Sequence, residues 1–164
     1  MDEKKFQELI KKVEAMKASG SVDLSTEEDL SIAVMNLISL EEHFFCTGEK
    51  TGKDAYFDAL QEIREVRKAL LARMVPKHEG ETWCVSKHLL ATTMRLIEVG
   101  TKLQSDGDKE KAKETFDYAW KIYSIFWGLR LKLIDLPQIK KYAAGEKPWT
   151  LKDIMEKMVD CCDE

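Results

Sequence analysis

The 164 residues carry 30 acidic and 26 basic side chains, a formal net charge of -4, and are 44% hydrophobic and 34% charged. That balance excludes a disordered chain, and with no basic arm it argues against nucleic acid as a partner. No apolar run reaches the roughly 18 residues that cross a bilayer, and the opening "MDEKKFQELIKK" lacks the apolar stretch of a signal peptide, so neither membrane insertion nor secretion is expected.

Taken in chain order, the first predicted helix sets Phe6, Leu9, Ile10, Val13 and Met16 on one face and ends at "ASGSVD". Ser25 and Glu28 have capping-box spacing, which predicts a second helix from there to about Cys46. "TGEKTGKD" reads as a turn, and a third helix follows from Asp54 until Pro76 stops it. After the loop "PKHEGET", Thr82 offers a cap for a fourth helix reaching Gln104, and "SDGD" turns the chain into a fifth, Lys109 to Leu133. The last helix is predicted from "WTLKDI", with Thr150 as cap and Trp149 stapled onto Ile154. No stretch alternates with the period of a strand. The prediction is one all-α domain over 1–164, an antiparallel helical bundle of about five to six helices. Within it 1–20 form an N-terminal helix, 25–135 the central bundle, and 136–164 an extension with a terminal helix.

The segment "LIEVGTKLQSDGDKEKAKETFDYAW" (96–120) resembles a tetratricopeptide helical hairpin. Gly100 matches the small residue where two helices cross closely, Leu103 stands at the following aromatic position, Gly107 at the turn, and Ala112, Phe116 and Ala119 match the packing face of the second helix. The segment departs from the family at Leu96, where an early Trp is usual, and at Ser124, where a closing Pro is usual. A fainter echo lies in "LEEHFFCTGEKTGKDAYFDAL", whose "FDAL" parallels "FDYA". The resemblance implies a close helix crossing and, in a tandem array, a peptide-binding superhelix.

Charges interrupt the apolar faces. At about 100° per residue, Glu41 falls among Leu30, Val34, Leu37, Ile38 and Phe45, whereas His43 falls on the opposite, polar side. Arg67 occupies the seam between Ile63 and Leu70, with Arg64 at its border, and Arg130 continues the seam of Phe116, Tyr123 and Trp127. A buried unpaired charge costs several kcal/mol, so these groups must pair or line a solvated cavity. Tyr118 and Ile125 lie off the seam of the fifth helix, which is therefore apolar on more than one side and suits a central position or contact with a partner.

Thiols and imidazoles are candidate ligands. His43 with Cys46 and Cys84 with His88 together spell a Cys2His2 zinc set, but an up-down-up course places the two pairs at opposite poles, about 25 Å apart. A more local set is His78, Glu79, Glu81, Cys84 and His88. Cys84, near the start of its helix with His88 one turn on and Arg130 level with it, is also the candidate catalytic or redox thiol, set against a simple packing role. The four Cys, two of them adjacent at Cys161 and Cys162, do not form a disulfide framework, and a cytoplasmic location is expected.

The function expected is a small interaction module, associating with a protein partner or with itself, without a cofactor and without a recognisable catalytic mechanism. The alternative is a bundle with an internal polar pocket of Glu41, Arg64, Arg67 and Arg130 that binds an anionic small molecule or a metal. The two readings part on whether Glu41, Arg67 and Arg130 close on one another or face a cavity.

Overall fold

Helical periodicity carries through to the observed structure. The computed structural model describes residues 24–75 and 81–134, together with 11, 14–16 and 18–20. Among these residues run four long helices and no strand: α1 (Leu24–Thr51), α2 (Ala55–Met74), α3 (Glu81–Ser105) and α4 (Lys109–Arg130). The protein is an all-α helical bundle. The predicted helix after Trp149 and the loop holding His78 and Glu79 lie outside the described residues.

Several boundaries differ from the sequence reading, each for a local reason. Helix α1 begins at Leu24, so Ser25 sits inside its first turn and does not cap it. It also runs past Cys46 to Thr51, through Gly48. Gly48 is tolerated there because the Phe57 ring lies over it, and a Cβ would sit 2.8 Å from that ring. Gly52, with φ +63°, ends the helix in the left-handed region by donating to the Gly48 carbonyl at 2.8 Å. Thr82 is the second residue of α3 and not its cap.

Helix α4 stops at Arg130, three residues early. There the Leu133 N–H bonds to the Gly128 carbonyl at 2.9 Å and the Lys132 N–H to the Leu129 carbonyl at 3.0 Å. This closure places Lys132, at φ +55°, where glycine is usual.

The α3–α4 turn is closed the same way, with glycine. Asp108 N–H reaches the Leu103 carbonyl at 3.0 Å and Gly107 N–H the Gln104 carbonyl at 3.2 Å, with Gly107 at φ +84°. Asp108 then caps α4, its carboxylate accepting from the Lys111 N–H and from the Lys111 ammonium at 2.6 Å. The Lys111 side chain first, and its backbone N–H second, hold the Asp108 carboxyl below the usual range. The stability this cap contributes is therefore present above the ordinary Asp value and fades as pH falls through the lowered one.

Packing joins α1 to α2, α3 to α4, and α1 to α3. The buried residues are unevenly placed. Apart from the small Gly48, Gly100, Ala112 and Ala119, those within helices come from the N-terminal halves of α1 (Ser31, Val34, Met35) and α3 (Ser86, Leu90, Thr93), and from the C-terminal halves of α2 (Arg67, Leu71, Met74) and α4. In an alternating bundle those four half-helices meet at one pole. There every residue from Tyr123 to Leu129 is buried, so α4 is surrounded on more than one side, as its two-sided apolar pattern predicted. Phe126 is fully buried, stacked with Tyr123 at 6.0 Å and edge-on to Trp127 at 5.4 Å.

At the other pole each hairpin closes on itself. Phe57 covers Gly48 in one, and Phe116 lies against Gly100 in the other, where a Cβ would be 2.5 Å from the ring.

Candidate functional site

The charged residues on apolar faces are paired, in two separate places. Glu41 on α1 accepts from Arg67 Nε at 2.7 Å and from Arg67 Nη2 at 3.3 Å, a two-pronged fork that uses both carboxylate oxygens. The two side chains are only 14% and 4% exposed, so the pair locks α1 to α2 and leaves the guanidinium closed to a ligand. Arg130 does not join them. Its Nε and Nη2 both point at Glu27 Oε2, each at 3.0 Å, tying the end of α4 to the start of α1. Glu27 and Glu41 are fourteen residues apart on one helix, about 21 Å along its axis. The structure thus does not gather Glu41, Arg67 and Arg130 around one internal cavity, and Arg64 is exposed on α2.

Further contacts between elements fix the register. Ser31 on α1 and Tyr123 on α4 share a buried hydrogen bond at 2.6 Å, and Ser31 also donates to the Glu28 carbonyl at 2.7 Å. On the outside, Arg95 of α3 pairs with Glu42 of α1.

Sequence reasoning found Glu41, Arg67 and Arg130 but missed Glu27. A signal existed: fourteen residues are close to four helical turns, so Glu27 and Glu41 share a face of α1.

The thiol and imidazole candidates stand apart from this. Cys84 and His88 lie on one side of α3, but it is the outer side: both are exposed, while Ser86, Leu90 and Thr93 on the opposite side are buried. Cys84 is exposed and does not have the packing role set against its candidacy as a thiol, whereas Trp83 beside it does pack against the core. Arg130 comes level with this end of α3, sharing a cleft with Thr82, but its guanidinium goes to Glu27. Glu81 is exposed at the start of α3, and His43 is exposed on α1. By the Glu42–Arg95 bridge Cys46 comes level with Val99, which puts it about 22 Å along the bundle from Cys84. Among the described residues no group of three or more His, Cys, Asp or Glu side chains could hold a metal ion.

Beyond the Glu42–Arg95 bridge the inner seam opens. Phe45 is on the same face of α1 as Val34 and Ile38, and Ile97 is on the same face of α3 as Leu90 and Thr93. Yet Phe45 is 51% and Ile97 40% exposed, whereas Val34 and Leu90 are at 0%. Both lie within one turn of the bridge, on helices joined there. Large apolar side chains exposed at seam positions mark an unfilled face, unlike isolated surface apolars.

Comparison of the chain with protein-family models, with curated proteins and with solved structures gives no match. What fold and contacts define is an all-α bundle whose large buried side chains gather at one pole, with Phe45 and Ile97 exposed on the inner faces of α1 and α3 toward the other. No helix among the described residues is long and apolar enough to cross a membrane.

Proposed function

We propose that the protein is an interaction module that associates first with a second copy of itself, through the open seam between its two hairpins. The observation that carries this reading is the exposure of Phe45 and Ile97 at positions whose counterparts nearer the core pole are fully buried. Covering the exposed half of two such side chains contributes roughly 0.7–1.5 kcal/mol each, enough to drive association when several act together. A twofold-related copy would place Phe45 and Ile97 of each molecule against those of the other.

The resemblance of 96–120 to a tetratricopeptide hairpin belongs to the same proposal, as does a cytoplasmic location, which suits the free thiols of Cys46 and Cys84. The test is amide hydrogen exchange at low and high protein concentration. Amides of residues 42–49 and 95–101 should gain protection as concentration rises, while those of the core pole stay unchanged. Equal protection of the seam at both concentrations would remove self-association.

A further inference from the structure

We draw no further inference here: the strongest candidate, the cleft between the end of α2, the start of α3 and the end of α4 lined by Arg73, Thr82 and Arg130, carries nothing, because Glu27 already meets the charge of Arg130 and nothing else in the structure points to a ligand there.

Discussion

Arg67→Ala is expected to destabilise the protein by about 3–5 kcal/mol, read from urea denaturation with the m-value unchanged. The cost comes from what is left behind. Glu41 is 14% exposed and gives both carboxylate oxygens to Arg67, so removing the guanidinium strands a carboxylate in an apolar seam. The complementary experiment separates this penalty from the value of the pair itself. Glu41→Leu/Arg67→Met replaces both charges by apolar side chains of similar size, and should restore wild-type stability or exceed it by about 1–4 kcal/mol. Arg95→Ala, which breaks the half-exposed bridge to Glu42, should cost no more than about 1 kcal/mol. A double variant as unstable as Arg67→Ala would mean that the fork itself, and not the stranded charge, holds α1 to α2.

Phe126→Ala should cost a comparable about 3–5 kcal/mol in the same measurement. Phe126 is fully buried between Tyr123 and Trp127, so truncation removes its apolar burial, its ring contacts and the volume it fills. The contrast lies at the other pole. Phe45→Ala, at a side chain 51% exposed, should change stability by no more than about 0.5 kcal/mol. If both hold, stability resides at the core pole, and the seam can be altered without unfolding the bundle.

Much of this arrangement was legible in the sequence because it is local. The 3.6-residue period gives the helices, and the second apolar side read at Ile125 foretells an α4 buried throughout from Tyr123 to Leu129, although Tyr118, read with it, is 53% exposed. Arg67 and Glu41 announce a pair because each stands where a leucine belongs.

What was not legible depends on register between elements. Ser31 meets Tyr123 across 92 positions, and Arg130 meets Glu27 across 103, and nothing in either neighbourhood names the other. The end of α4 was misplaced because a glycine-type closure is made there without glycine, at Lys132. The Ser25–Glu28 capping pattern misled for the opposite reason, since the helix continues through it from Leu24. Cys84 and His88 have the chemistry of a site, but their phase on α3, opposite Leu90 and Thr93, puts them on the outer face.

Self-association through the seam of Phe45 and Ile97 is tested most directly by sedimentation velocity of the full chain. The wild type should show a sedimentation coefficient that rises with concentration. Phe45→Ser/Ile97→Ser should remain monomeric throughout, with an unchanged Tm. A wild type that stays monomeric at every concentration, or a double variant that associates equally well, would contradict the account.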